Sequence, residues 1–278
     1  CHRGRGGFSL TSKGELFLMT PGTTDKPERP ELGNGGIASL NWSADGSRLA
    51  LGRDNGHLIL MDGKGKTLKD VVAHSGTIRH VEFAGDGKTL WTAGDDIAVQ
   101  QLDVTTLEPK LSVTDHTSPI IALAVDPTGK RVASAEADHV TFIRYVESNT
   151  VQWTRRGHRI SALAFSPDGK TLAMVEQRRV IMLYDVEERR ELKRLSGNPS
   201  RIMDMLWHPN GEALLCLGDL GTLRVWGIER GNLLASANAG RGRPTALGLG
   251  KNGTLVVTGG MDPGGSAKVF DLGPKRVE

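Results

Sequence analysis

The chain has 278 residues, enough for one large all-β domain or two ordinary ones, and its 36 glycines favour short strands joined by tight turns. Its 35 basic and 32 acidic residues leave a formal net charge of +3, too small for a general nucleic-acid binder. No apolar run approaches the roughly 20 residues of a membrane-spanning helix, and two cysteines, Cys1 and Cys216, exclude a disulfide framework.

A strand–turn–strand unit recurs along the chain and is clearest at residues 164–173, AFSPDGKTLA. Pro167 presets the first turn position, Asp168 supports the turn through its side chain, and Gly169 can adopt the left-handed conformation that closes the hairpin. Equivalent turn glycines recur at intervals of 40 to 42 residues: Gly46, Gly87, Gly129, Gly169, Gly211 and Gly253. A regular period carried by a hairpin predicts a repeat architecture.

The first strands of the chain belong to an interrupted repeat. The segment KGELFLM at 13–19 matches NGHLILM at 55–61, which indicates that the chain starts inside a repeat, after its first strand. From Ile37 onward each repeat has four strands, graded from an apolar first strand to a polar fourth strand. This gradient is typical of a blade whose first strand lines a central axis and whose fourth strand faces water.

Four strands in about 42 residues, repeated radially, predict a β-propeller. The expected fold is a single all-β domain over residues 1–278, a seven-bladed β-propeller of about 42-residue four-stranded blades whose first blade is incomplete at the N-terminus. The predicted partial blade covers 8–32. The complete or nearly complete blades cover 37–72, 78–113, 120–153, 160–195, 202–236 and 245–278.

The repeats resemble those of the WD-repeat family, in a divergent, bacterial-type form. Gly157-His158, the turn at 165–169 and Tyr184-Asp185 are similar to the Gly-His … Trp-Asp pattern of that family, and the resemblance extends over residues 8–271. Elsewhere the two pairs occur as variants: Met61-Asp62, Leu102-Asp103, Trp226-Gly227, Phe270-Asp271, Ala73-His74 and Asp115-His116. The resemblance implies a circular binding platform, and hence a non-catalytic scaffold that mediates protein–protein interactions through its end faces.

Three histidines, His74, His116 and His158, lie 42 residues apart, each shortly before a first strand. Residues one repeat apart lie on different blades, so the spacing favours a structural role over a metal site, and no cofactor is expected. In the family such a histidine bonds to an aspartate between the second and third strands. The resemblance implies Asp95 or Asp96 for His74 and Asp138 for His116. His158 faces Gln177 or Arg178, which predicts an incomplete network.

Arginines cluster before the first strands of the last three repeats. We call the following set the arginine crescent, expected on one sector of one end face: Arg155, Arg156, Arg159, Arg178, Arg201, Arg241 and Arg243. The guanidinium group is a planar bidentate donor that suits carboxylate or phosphate, so the crescent is a candidate site for an acidic protein or peptide. The alternative is a solvated rim that pairs locally with Glu187, Glu188 or Glu191.

Two further functional hypotheses remain open at this stage. Cys1-His2 is similar to the end of the C-x-x-C-H haem-attachment segment, which would make the chain the propeller of a larger bacterial c-type cytochrome or redox protein, and periplasmic. That motif needs a second cysteine upstream of Cys1. The third hypothesis is an enzyme with a cross-blade site, although the sequence has no nucleophile elbow or His-Glu-x-x-His motif. A plain scaffold would be cytoplasmic, and in either case we expect a monomeric domain of a larger chain.

Overall fold

The computed structural model describes residues 8–12, 15–19, 30–238, 244–249, 255–260 and 267–271, and within these ranges all regular structure is β. Consecutive strands pair antiparallel into seven sheets. We call the first, two-stranded sheet the leading sheet and number the others as blades 1 to 6 in chain order. None of the described residues forms a helix that is long and apolar enough to cross a membrane.

The strand bounds follow the repeat. The leading sheet and blade 1 comprise β1 (Phe8–Ser12), β2 (Glu15–Met19), β3 (Ile37–Trp42), β4 (Arg48–Arg53), β5 (His57–Asp62) and β6 (Thr67–Val72). Blades 2 and 3 comprise β7 (Ile78–Phe83), β8 (Thr89–Gly94), β9 (Val99–Asp103), β10 (Pro109–Val113), β11 (Ile120–Val125), β12 (Arg131–Glu136), β13 (Val140–Tyr145) and β14 (Thr150–Arg156). Blades 4 to 6 comprise β15 (Ile160–Phe165), β16 (Thr171–Glu176), β17 (Val180–Asp185), β18 (Arg190–Leu195), β19 (Ile202–Trp207), β20 (Ala213–Gly218), β21 (Thr222–Gly227), β22 (Leu233–Asn238), β23 (Pro244–Leu249), β24 (Leu255–Gly260) and β25 (Ala267–Asp271).

The hydrophobic core lies between the sheets rather than inside any one of them. Each cluster of buried apolar residues joins two consecutive sheets, from the leading sheet with blade 1 to blade 5 with blade 6. The first strands of blades 1 to 6 contact one another in chain order, whereas the outer strand β6 is largely exposed. Because a single blade is too thin to bury its own apolar faces, this radial stacking is the source of the stability. The all-β propeller predicted from the sequence is confirmed, and the described residues form five four-stranded sheets, one three-stranded sheet and the two-stranded leading sheet, which is consistent with the predicted seven blades.

A bulge interrupts each inner strand near its start. The pairing register skips the second residue in five inner strands and is irregular over Ser161 and Ala162 in β15. The skipped residues are Ala38, Arg79, Ile121, Met203 and Thr245. A bulge re-aims the extra side chain, so each blade can present one residue at the end of the propeller where its inner strand begins.

We call the end of the propeller at which the inner strands begin the upper end. It carries the connections between blades and the turns between second and third strands. One backbone hydrogen bond of 2.8–3.2 Å recurs there, from the first turn residue to the carbonyl before the inner strand. The pairs are Asp54–Gly36, Asp95–Thr77, Ala137–Pro119, Gln177–Arg159 and Asp219–Arg201. This bond holds each turn against the residue that opens the inner strand.

The hairpins between first and second strands lie at the opposite, lower end. Asp168 accepts hydrogen bonds from Ser166 Oγ at 2.6 Å and from the Lys170 amide at 3.0 Å, as a turn-forming aspartate does. Gly169 has φ +72°, and a Cβ atom at this position would lie 2.9 Å from Asp126 Oδ1 of the preceding blade. Gly169 therefore serves both the turn and the close approach of blades 3 and 4.

Candidate functional site

In blade 2 a buried histidine, His74, forms hydrogen bonds to two strands or turns near the upper end. The buried His74 ring places Nδ1 2.8 Å from Asp96 Oδ1 and Nε2 2.8 Å from Thr92 Oγ1. Asp96 also accepts the Ser75 amide at 3.0 Å. One buried network thus holds together the connection into the blade, its second strand and the following turn. This geometry assigns the network a structural role and not a catalytic one.

His116 has a different partner from the one expected. Its Nδ1 lies 2.7 Å from Glu136 Oε1, and its Nε2 lies 3.2 Å from Ser134 Oγ. The assignment to Asp138 is wrong, because the longer Glu136 side chain, at the end of β12, reaches the ring from inside the blade. Asp138 instead lies 3.5 Å from Thr117 Oγ1, at the surface.

His158 does not belong to this network. It lies two residues before β15, whereas His74 and His116 lie four residues before β7 and β11. The equal spacing in sequence conceals a shorter connection between β14 and β15, which puts Arg156 at the position four residues before the strand. His158 is half-buried and makes no hydrogen bond or ion pair with any residue that the structure describes, so neither Gln177 nor Arg178 is its partner.

Blade 4 uses an ionic network instead. Glu176, at the end of β16 and 2 % exposed, forms ion pairs with Arg155 Nη2 and, at 2.7 Å, with Arg194 Nη1. Arg194 also binds Glu191 through two contacts of 2.8 Å, and hydrogen bonds from Glu191 and Glu176 raise the pKa of Arg194. The Arg155 side chain is therefore engaged in an ion pair inside the blade and is not part of the arginine crescent.

The remaining described arginines of the crescent lie together at the upper end. The Gln177 amide donates to the Arg159 carbonyl at 3.2 Å, and the Ile202 amide, next to Arg201, donates to the Arg178 carbonyl at 2.7 Å. The Arg179 carbonyl accepts Asn198 Nδ2 at 2.9 Å. The first bond lies within blade 4, and the other two cross from blade 4 to blade 5, so they hold the arginine-bearing turn of blade 4 against the start of β19.

The turn that carries Arg178 is conformationally unusual. Gln177 has φ +47° and Arg178 has φ +66°, so two consecutive residues other than glycine adopt the left-handed region. This conformation costs of order 1 kcal/mol per residue and persists where the surroundings hold it. Here the Ile202 amide and the Asn198 side chain donate to the Arg178 and Arg179 carbonyls, and these bonds hold the backbone of the turn in a defined position.

The upper-end arginines lack ion-pair partners among the described residues. Arg156, Arg159 and Arg201 are exposed, as is neighbouring Arg179, and Arg178 is half-buried; none of them forms an ion pair within the described parts of the chain. The acids offered as local partners are engaged elsewhere or distant: Glu187 pairs with Arg131 at 2.6 Å, Glu191 pairs with Arg194, and Glu188 lies in a lower-end turn. Arg241 and Arg243 lie outside the described residues.

Two apolar residues that sequence reasoning missed lie beside Arg201. Met203, the bulge residue of β19, is 44 % exposed, and Leu220, in the turn between β20 and β21, is 72 % exposed. The signal for Leu220 was a large apolar residue between Asp219 and Gly221, where a turn normally has polar residues. Met203 gave no signal, because the position of a bulge cannot be read from strand alternation.

Polar inner-strand residues bind the next blade around the axis. Ser39 Oγ donates to the Ile78 carbonyl at 2.7 Å, Asn41 Oδ1 accepts the Phe83 amide at 3.2 Å, and Asp204 Oδ2 accepts the Leu247 amide at 2.8 Å. In blade 2 burial lowers the pKa of His80 to about 4 and raises the pKa of Glu82 to about 8. These groups satisfy backbone atoms on the free edge of the adjacent inner strand, which is a structural task.

Other candidate chemistry is limited within the described ranges. Cys216 is buried, its Sγ lies 3.5 Å from Asn198 Oδ1, and burial raises its pKa to about 11, so the thiol is not activated. No group of three or more His, Cys, Asp or Glu residues is arranged there to hold a metal ion. Cys1 and His2 lie outside the described residues.

Three consecutive segments match the family model described as "WD domain, G-beta repeat": residues 107–143, 149–185 and 189–227. Each segment starts near the outer strand of one blade and continues through the first three strands of the next, so the sequence repeat links neighbouring blades. A chain in the crystal structure of a mitotic checkpoint complex superimposes with a TM-score of 0.85 at 17 % identity, covering 95 % of this chain and 85 % of that one.

The curated relatives share about a quarter of their aligned residues with this chain and are much longer than it. Nuclear distribution protein nudF 2 of Penicillium rubens is 28 % identical over 205 residues, which cover 70 % of this chain and 39 % of that protein. An uncharacterized WD repeat-containing protein of Synechocystis is 26 % identical over 163 residues, 56 % of this chain and 47 % of that protein. Autophagy-related protein 16 of Arabidopsis thaliana is 27 % identical over 203 residues, 68 % of this chain and 38 % of that protein. The chain thus spans less than half the length of these relatives.

Proposed function

The chain is a WD-repeat β-propeller, and we propose that it is a non-catalytic scaffold that binds an acidic protein segment through the upper end of blades 4 and 5. WD40 propellers typically mediate protein–protein interactions. The observation that carries the assignment to this sector is the group of upper-end arginines without ion-pair partners among the described residues.

Arginine is suited to this task because its charge persists at all physiological pH values and its planar fork binds carboxylates through two hydrogen bonds. Backbone hydrogen bonds within blade 4 and between blades 4 and 5 fix the relative positions of the Arg159, Arg178 and Arg201 backbones. A preorganised set of donors loses less entropy on binding than a mobile one. The surface would therefore bind acidic segments with geometric selectivity as well as by charge.

The test compares the proteins retained by the immobilised wild-type chain with those retained by the Arg159→Glu/Arg201→Glu double variant. Arg230→Glu is the matched control, because Arg230 is exposed in the same blade but lies in the lower-end turn between β21 and β22. We expect proteins that the wild type and the control retain at low salt to be lost by the double variant and by the wild type at high salt. A retained set that is unchanged in the double variant would refute the proposed surface.

A further inference from the structure

The upper end of blade 5 combines charge with exposed apolar area. Met203 and Leu220 flank Arg201: Met203 follows it by two residues in β19, and Leu220 follows Asp219, which is hydrogen-bonded to Arg201. The side chain of Leu220 is 72 % exposed, the largest exposed fraction among the large apolar residues of the described chain. An apolar pair beside cations that form no ion pair among the described residues has the composition of an interface centre rather than of an ordinary solvated rim.

The apolar pair is held in place by the backbone. The Asp219 amide donates to the Arg201 carbonyl at 2.8 Å, and the Arg201 amide donates to Asp219 Oδ1 at 3.1 Å. Gly221, with φ +78°, closes the turn through a 2.9 Å bond to the Gly218 carbonyl. Leu220 is thus exposed on a rigid turn, so binding a partner there costs little additional ordering.

In blade 2 the bulge residue at the corresponding position is paired with the neighbouring turn. Its bulge residue is Arg79, which forms two 2.8 Å hydrogen bonds with Asp95, the turn residue that corresponds to Asp219. In blade 5 the bulge residue is Met203, so Asp219 has no cation to bind there and caps the Arg201 amide instead. The bulge of blade 5 is left open to a partner.

We propose that Met203 and Leu220 bind an apolar side chain of the partner, while Arg159, Arg178 and Arg201 bind carboxylates on either side of it. The ligand is thus an acidic segment of a protein with an apolar anchor, and not an acidic chain alone. This inference rests on the proposed function and adds its specificity. The arginines attract and orient the segment, and the apolar contact discriminates among acidic sequences.

The test uses two fluorescein-labelled peptides, each with four glutamates on either side of a central residue that is leucine in one and glycine in the other. Fluorescence anisotropy with the full chain measures both affinities at several salt concentrations. Burial of the leucine should make the leucine peptide bind about tenfold more tightly to the wild type. Leu220→Ser and Met203→Ser should remove this difference while the glycine peptide still binds.

Matched variants separate the anchor from the charge. Leu233→Ser removes a leucine that is 39 % exposed on the outer strand of the same blade, and it should leave the tenfold preference intact. Arg159→Glu/Arg201→Glu should weaken both peptides and flatten their salt dependence. Thermal unfolding of each variant confirms that it is folded.

The outcomes distinguish this inference from the proposed function. Equal affinities of the wild type for the two peptides would overturn the apolar anchor, and arginine-dependent binding of both would still support the acidic-segment scaffold. If neither peptide binds while retained proteins still depend on Arg159 and Arg201, the anchor inference is wrong and the proposed function stands. If binding and retention are both indifferent to the arginines, both proposals fail.

Discussion

Blades 2 and 4 have the same four-stranded plan but stabilise their upper ends in opposite ways. In blade 2 the polar groups are paired within the blade, His74 with Asp96 by a hydrogen bond and Arg79 with Asp95 by an ion pair. In blade 4 the buried Glu176 takes two arginines, and Arg159 is left without a described partner. A repeat can thus keep its strands while the arginines at its end face change from paired to unpaired.

The two blades also reach their neighbours differently around the axis. Inner strand β7 of blade 2 carries His80 and Glu82, which bind the backbone of β11. Inner strand β15 of blade 4 carries alanines at the corresponding positions, and the bond comes from the following blade instead, where Trp207 Nε1 donates to the Ala164 carbonyl at 3.0 Å. Either arrangement supplies hydrogen bonds to backbone groups at the unpaired edge of an inner strand.

The largest effect should come from the packing that both blades share. Leu163 is 8 % exposed in the core between blades 3 and 4. Leu163→Ala should lower the free energy of unfolding by about 2–5 kcal/mol, because it leaves a cavity that the sheets cannot close. Urea denaturation measures the loss. An unchanged midpoint would mean that β15 is not buried between the blades.

The ionic network of blade 4 should rank next. Glu176→Ala leaves Arg155 half-buried without its carboxylate, and we expect a loss of about 3 kcal/mol. Glu188→Ala is the control, since Glu188 is an exposed residue of the same blade. Chemical denaturation of both variants makes the comparison. Similar small losses for the two variants would show that the network contributes nothing.

The histidines provide a sharper contrast between blades. His116→Ala removes two buried hydrogen bonds and should cost about 2 kcal/mol, whereas His158→Ala should change stability by less than about 0.5 kcal/mol. Thermal or urea unfolding at pH 7 distinguishes the two. Equal losses of unfolding free energy would mean that His158 contributes to stability as much as His116 does. The shorter connection would then not exclude His158 from a structural network.

The smallest effect is a pH dependence specific to blade 2. Burial raises the pKa of Glu82 from 4.5 to about 8, so between these values the folded chain holds a proton that the unfolded chain releases, and stability falls as pH rises. Glu82→Gln should therefore stabilise by about 1 kcal/mol at pH 9, with the gain fading toward pH 5. Urea titrations across this range test the sign. A gain that does not vary with pH would refute a protonated Glu82.

Much of the fold could be predicted because it is written in local patterns. The period of the turn glycines, such as Gly169, and the apolar inner strands predicted the blades. The site was predicted less well. The structure removed Arg155 from the crescent and replaced Asp138 by Glu136 as the partner of His116, since both outcomes depend on which side chain reaches across the blade.

The repeat, the strand order and the basic character of the last connections can be predicted from the sequence, because turn residues and hydrophobic periodicity act over a few neighbouring positions. Which charged side chains are paired and which are not depends on the packing of the folded chain. The shorter connection between β14 and β15 excluded His158 from the network, and a bulge exposed Met203. Such outcomes depend on contacts between strands and blades that are far apart in the chain, where the geometry of burial selects the partners.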